Sequence, residues 1–177
     1  GGPGVITTDE IVTGGGQLAK ISPEAMAEYN SFLPGAWSHN NPVDVLGDAP
    51  PAMYAKALKV AGDDKESDGM LVILTPQSVT KPTETAEELA KYAHIEGKPV
   101  MASWMGGKDL EKGRAILRDS GIPVFDSPDM AAKIFNYCWA YSSNKEQMYE
   151  EPKAPLHAAD PSGAKKIIEK ALEEGRN

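Results

Sequence analysis

Apolar and polar positions fall into blocks along the chain, and the blocks repeat as strand then helix. Met70-Leu71-Val72-Ile73-Leu74 is an unbroken apolar run. Such a run suits a strand buried on both faces of a parallel sheet. Thr75-Pro76-Gln77-Ser78 follows, then a helix with Pro82 in its first turn and an end near Ala93-His94. Its early Glu84, Glu87 and Glu88 complement the helix dipole. Pro99 to Trp104 reads as a second strand, followed by Gly106-Gly107 and a helix from about 109 to 119. Gly121 stands where a left-handed C-cap belongs. Ile122-Pro123-Val124-Phe125 reads as a third, short strand. Ser127 is then the expected N-cap and Pro128 the first residue of a helix over 128–142. Ile134, Tyr137, Cys138 and Tyr141 recur there at helical spacing as its apolar stripe, with Trp139 off it.

The front third is less regular. Gly4 to Thr13 reads as a short helix opened by a glycine loop and closed by Gly14-Gly15-Gly16. Residues 17–21 are a candidate short strand. Residues 23–33 read as a helix with Ser22 as N-cap and Pro23 in its first position. Pro42-Val43-Asp44-Val45-Leu46 reads as a strand or a turn, and 51–61 as a helix. Residues 144–157 are polar and proline-containing, as in a linker. Pro161 to Gly175 is an amphipathic helix with Ile167, Ile168, Ala171 and Leu172 on one side.

Repeated strand–helix units imply an α/β fold with a parallel sheet and helices on both faces. The flavodoxin-like strand order is the expectation for a small sheet of this kind. A glycine loop that opens a helix normally follows a strand, yet here it starts the chain. The first, central strand is therefore expected just upstream of Gly1. The abrupt Gly1-Gly2-Pro3-Gly4 opening, with no Met, also suits a segment of a longer polypeptide. The expected division is a domain over 1–143 and a linker plus helix over 144–177.

Composition narrows the function classes. A net charge of −8 repels phosphate backbones and anionic lipid, so nucleic-acid and membrane binding are disfavoured. No apolar run approaches the length of a membrane span, and no basic region followed by an apolar run stands at the N-terminus. The expected location is cytoplasmic. Cys138 is the single cysteine, which excludes an internal disulfide and a thiolate metal cluster, and it is read as a buried structural residue.

Ligands of open α/β sheets bind beyond the carboxyl ends of the strands, where strand order reverses. For a flavodoxin-like order that crevice lies between the Gly1-Gly2-Pro3-Gly4 and Thr75-Pro76-Gln77-Ser78 loops. Both lead toward helix N-termini, whose main-chain N–H groups attract anions. The alternative is a tight turn and an ordinary strand–helix loop. His39, His94 and His157 have no acidic partner at catalytic spacing and are read as structural or exposed, although the loop of His39 is placed near the crevice. Asp44 and Asp48 are candidates for ligand or metal contacts, but in a Gly/Pro-rich stretch they read first as turn formers. Trp104-Met105-Gly106-Gly107 admits a close backbone approach or a sharp turn. No nucleophile elbow, zinc motif or Walker loop is present.

Five blocks together carry a resemblance: GGPGV at 1–5, NPVDVLGDA at 41–49, LVILTPQSVT at 71–80, KPVMASWMGG at 98–107 and GIPVFDSPDMAA at 121–132. In that order they resemble one domain of the NDP-forming acyl-CoA synthetases, which are similar to succinyl-CoA synthetase. The likeness covers roughly residues 1–140. The tail AKKIIEKALEEGR at 164–176 resembles the helix leading into that family's ATP-grasp domain. The resemblance implies a parent enzyme using ATP, Mg²⁺ and coenzyme A. A histidine in a preceding domain is phosphorylated, the phosphoryl group passes to a carboxylate, and the acyl phosphate is captured by CoA. None of the three histidines here matches that motif, so no catalytic residue is expected in this chain, which alone is expected to be inactive and to bind no cofactor. The CoA-binding and phosphohistidine domains are implied upstream and the nucleotide and Mg²⁺ site downstream. An oligomeric parent is compatible with this. The resemblance puts phosphate and carboxylate contacts on Gly1, Gly2, Pro3 and Gly4 and on the turn at Pro76, Gln77, Ser78 and Val79. Succinyl-CoA synthetase has glycines where Pro76 and Gln77 stand. Pro76 has no N–H, which leaves Gln77, Ser78 and Val79 as donors and disfavours a dicarboxylate. Two other readings remain: an acyl-CoA-sensing region of a bacterial lysine acetyltransferase, and a free-standing flavodoxin or receiver-like module. The acid cluster and flavin walls the latter requires are missing.

Overall fold

The computed structural model describes residues 1–149 and 161–175. The chain divides into two compact units, Gly1–Ser142 and Ser143–Asn177. In the first, three helices precede the sheet: α1 (Gly2–Thr13), α2 (Pro23–Phe32) and α3 (Pro51–Asp63). Then come β1 (Met70–Leu74), α4 (Pro82–Ala90), β2 (Val100–Trp104), α5 (Glu111–Asp119), β3 (Val124–Phe125) and α6 (Pro128–Tyr149). A 3₁₀ turn at Lys108–Leu110 leads into α5. All strand pairs are parallel, in the order β1-β2-β3. Met70 stands opposite Val100 and Leu74 opposite Trp104, while Ala102 meets Val124. This is the expected α/β architecture with an open, flavodoxin-like sheet.

Side chains alternate across a strand, so the two faces of the sheet are built separately. Met70, Leu74, Val100, Ala102 and Trp104 form one core with Ala86 and Leu89 of α4, Leu117 of α5, and Leu58 of α3. On the other parity Met101 and Ser103 are also buried. There the ring of Phe135 on α6 lies so close to Gly69 that a Cβ would sit 2.6 Å from it. Hence α6 approaches the face opposite α4 and α5. A second core joins Tyr29 of α2, Trp37, Val45, and Ala57 and Val60 of α3. Its rings meet at 5.4 Å between Tyr29 and Trp37, and the Tyr29 hydroxyl donates to Ala57 O at 3.2 Å.

Several local signals act as expected. Ser22 Oγ accepts from Ala25 N at 3.1 Å with Pro23 beginning the helix. Gly121 takes φ +94° just past α5, where its N–H reaches Arg118 O. Others differ. Residues 17–21 and 42–46 are not strands: they run without a ladder partner. The opening glycines are not a loop, because α1 starts at Gly2 with Gly1 as its N-cap. α4 stops at Ala90, and a turn carries 91–93.

α6 departs most. It continues to Tyr149, through the first residues of the expected linker. Its buried face is Pro128, Ala131, Ala132 and Asn136, while Tyr137, Cys138 and Tyr141 are exposed. Two alanines let the helix backbone come close to its neighbours, which larger side chains would prevent. Asn136 is buried because its amide donates to Glu10 O and Ile11 O at 3.2 Å, serving the end of α1. In the second unit, α7 spans Pro161–Glu173 and exposes Ile167, Ile168 and Leu172. The linker positions 150–157, including His157, lie outside the described residues.

Candidate functional site at the carboxyl end of β1

A groove of about 620 Å³ runs along β1 and opens at its carboxyl end. Three elements meet at that opening. The first turn of α1 contributes Gly1, Pro3 and Gly4; the loop after Pro42 contributes Asp44, Leu46 and Gly47; the loop after β1 contributes Thr75 and Gln77. Of the residues expected to form the site, Gly1, Gly4 and Gln77 are thus brought together. Gly2 sits in the same first helical turn, while Ser78 and Val79 lie in the adjoining turn outside the groove lining.

The donors are distributed differently from expectation. No side chain caps α1, so the N–H groups of Gly2 and Gly4 point out of its N-terminus without a partner among the described residues. Pro3 contributes no donor. The Gln77 N–H is taken by Thr80 Oγ1 at 2.8 Å, and Thr80 N donates back to Gln77 O at 3.0 Å. That closed turn separates Ser78 and Val79 from α4, which begins only at Pro82. Gln77 instead contributes its side-chain amide, seated against Gly47: a Cβ there would stand 2.3 Å from Gln77 Nε2.

Asp44 ties the opening together. Its Oδ2 accepts from the Gly1 amino group at 3.0 Å and its Oδ1 from Leu46 N at 3.0 Å. Its turn-forming and contact-making roles therefore coincide. Leu46 is held at φ +72°, a conformation side chains disfavour. Burial pushes the neighbouring Tyr54 phenol up, and the charge of Asp44 adds to this. Asp48 is exposed and makes no such bond.

Sequence reasoning missed Arg114. Buried on α5, it donates through Nε and Nη2 to Trp104 O at 3.2 and 2.7 Å and through Nη2 to Gly106 O at 3.0 Å. It also pairs with Glu111 at 2.6 Å and Asp126 at 3.1 Å. The only forewarning was Glu111 three residues earlier on a helix. Gly106 is there for close packing, since a Cβ would stand 2.6 Å from Leu110 and 3.2 Å from Pro76. Neither described histidine lines the opening. His39 packs against Trp37 with ring centroids 4.6 Å apart and planes tilted by 43°, and its Nε2 lies 3.1 Å from Gly35 O. His94 lies by a depression at the amino ends of the strands. Among the described residues no group of three or more His, Cys, Asp or Glu is placed to hold a metal. No described helix is long and apolar enough to cross a membrane.

An uncapped helix start, the Gln77 side chain and two glycines thus line one groove beside β1, the kind of place where main-chain N–H groups attract anions. Comparison with known proteins agrees with the block resemblance. The chain is 34% identical over 177 residues to an ADP-forming acetate–CoA ligase I of Archaeoglobus fulgidus, covering 99% of this chain and 24% of that protein. It is 35% identical over 140 residues to the alpha subunit of ADP-forming acetate–CoA ligase II of Pyrococcus furiosus, covering 76% and 31%. The chain thus spans about a quarter to a third of these relatives. Among solved structures, dinucleotide-forming acetyl-coenzyme A synthetase 1 of Ca. Korarchaeum cryptofilum, in complex with phosphate and ADP, superposes with a TM-score of 0.75 at 26% identity, covering 85% of this chain and 34% of that one. The profile of the Ligase-CoA domain matches residues 1–146, so the chain belongs to the Ligase-CoA domain family.

Proposed function

We propose that the chain is the flavodoxin-like domain of an ADP-forming acyl-CoA synthetase and that it stabilises a phosphoryl or carboxylate group at the carboxyl end of β1. The uncapped first turn of α1, lining the same groove as the Gln77 side chain, carries this reading. In the reaction a carboxylate, CoA and ATP give acyl-CoA, ADP and phosphate through a phosphohistidine. Gly2 and Gly4 hold the transferring anion by main-chain N–H groups, with Gly1 as the N-cap that leaves them open. The Gln77 amide and the N–H groups of Ser78 and Val79 orient the acceptor carboxylate. Fixed donors of this kind stabilise charge without reorganising during the reaction. The charge of Asp44 opposes an anion, and its bonds turn it toward the main chain.

The phosphorylated histidine and the CoA site belong to domains upstream in the longer protein, and the ATP and Mg²⁺ site to a domain downstream. That protein works in the cytoplasm, and the isolated chain has no activity. The relatives compared are named as ligases, which leaves the acetyltransferase reading without support. The test uses the full-length enzyme with γ-labelled ATP and Mg²⁺. The expected product is an acid-labile, base-stable protein phosphate that acetate plus CoA discharges. A protein that never labels, or acyl-CoA formation by residues 1–177 alone, overturns the proposal.

A further inference from the structure

One guanidinium ties the carboxyl ends of the strands to one another. Arg114 sends Nε and Nη2 to Trp104 O, and Nη2 also to Gly106 O. These two carbonyls bracket Met105, just past β2. Trp104 O and Met105 N belong to one planar peptide group, so holding the oxygen on one side fixes the N–H on the other. That N–H donates to Leu74 O at 3.0 Å, on the last residue of β1. Gly106, the second anchored residue, packs against the next loop: a Cβ there would stand 3.2 Å from Pro76 Cγ, and its φ of +154° favours glycine. Gln77 follows Pro76 directly. Asp126, just past β3, meets Arg114 Nη2 at 3.1 Å, and Glu111 meets Nη1. The partners of Arg114 thus all lie in β2, α5 and the loops after β2 and β3, and through Met105 and Gly106 they bear on residues 74–77.

We infer that Arg114 is a positioning residue for the acceptor carboxylate: it holds the Trp104–Gly106 segment against which the turn carrying Gln77 is placed. This role rests on the proposal that the Gln77 amide orients that carboxylate. A single donor would satisfy either carbonyl. The planar fork of an arginine does more, because it fixes two carbonyls relative to each other. With that fork removed, the peptide between Trp104 and Met105 is free to tilt, and Leu74 O and the Pro76 ring lose a fixed neighbour. The donors of the Gln77 turn then leave the geometry that a bound carboxylate needs, and a small misplacement far from the chemistry is enough to weaken positioning. α1 takes no part in these contacts, so the anion site at Gly2 and Gly4 is spared. The signature is therefore selective: the carboxylate step suffers and phosphorylation does not.

The test uses the full-length enzyme with Arg114→Lys and with the milder Asp126→Asn, which alters an exposed carboxylate and keeps the guanidinium. Hydrogen exchange of peptides covering 74–80 is followed by mass spectrometry, with 128–136 of α6 as the folding control. Arg114→Lys is expected to speed exchange over 74–80 on the order of tenfold and to leave the control within about twofold. It should raise the KM for acetate about tenfold, with kcat, the KM for CoA and labelling by γ-labelled ATP within about twofold. Asp126→Asn should move exchange and acetate KM the same way by about threefold. Arg114→Lys combined with Gln77→Ala should raise the acetate KM no further than the larger single change, since both act through one amide. Unchanged exchange over 74–80 overturns the inference, whatever the enzyme catalyses. So does faster exchange with an unchanged acetate KM, or an acetate KM that rises only together with the KM for CoA and a loss of labelling. Should Arg114→Lys fail to fold, Asp126→Asn decides by the same criteria. An unsubstituted enzyme that never labels overturns the ligase reading instead, and the exchange over 74–80 then decides by itself whether Arg114 places the Gln77 turn.

Discussion

β1 and β2 lie side by side in register, with similar apolar sequences, yet they occupy different environments. Every residue of β2 is buried, whereas the middle three of β1 are only partly so. The chain closes the sheet on the β2 side with α4, α5 and α6. On the β1 side an aromatic core and an irregular loop stand off across a groove. Composition does not create this contrast; the number of neighbours does. The sharpest way to break it is a pair of truncations. Trp104→Ala at the fully buried end of β2 is expected to lose about 3–5 kcal/mol in urea denaturation, and Leu71→Ala under about 1 kcal/mol. Equal losses would mean that the β1 side is as closed as the β2 side.

Arg114 tests how the closed side is fixed. Its guanidinium serves two carbonyls at the end of β2, and lysine cannot reproduce the fork. Arg114→Lys is expected to cost about 2–3 kcal/mol, because an ammonium on a shorter, unforked side chain leaves a buried carbonyl without its donor. A loss under about 0.5 kcal/mol would show that solvent already serves those carbonyls.

Much of the closed side was readable in the chain. Unbroken apolar runs marked β1 and β2, and Ser22, Pro23 and Gly121 marked helix ends through purely local chemistry. Failures came where a distant partner decides. Residues 42–46 have the side chains of a strand but no ladder neighbour. α6 carries an apparent apolar stripe at Tyr137, Cys138 and Tyr141, yet alanines and Asn136 make its buried face. Periodicity cannot distinguish a core stripe from an exposed one. The candidate site was legible as two loops but not in its donors. Thr80, three residues on, occupies the Gln77 N–H, and nothing local announces that Gly47 will meet Gln77 from another part of the chain.

Asp64, at the amino end of the sheet, gives a smaller test on the open side. Its oxygens accept from Ser22 N at 3.0 Å and Glu66 N at 3.1 Å, linking the start of α2 to the end of α3. Burial acts to raise its carboxyl, but these bonds outweigh it and hold the group low. A depressed folded value means that its stabilisation is present above the unfolded carboxyl value of about 3.9 and is lost as pH falls through the folded one. Asp64→Asn is expected to cost about 1 kcal/mol at neutral pH, with the gap closing below about pH 4. A gap that widens in acid would reverse the assignment.

The smallest expected change in stability falls at Gly47, where structure and function separate. A Cβ there meets only the far end of Gln77, a flexible side chain that can swing aside. Gly47→Ala is therefore expected to unfold within about 0.5 kcal/mol of the parent. In the full-length enzyme it should nonetheless lower acyl-CoA formation about tenfold, the scale of one lost hydrogen bond. Gln77→Ala should do the same, and the double variant should lose no more than either single change, because both remove one amide from one place. Losses that multiply would mean that Gly47 acts through the loop carrying Asp44 and Leu46 instead. A stability loss above about 2 kcal/mol would mean that the Gln77 side chain is a packed part of the wall, and its amide would then no longer be a mobile donor at the opening.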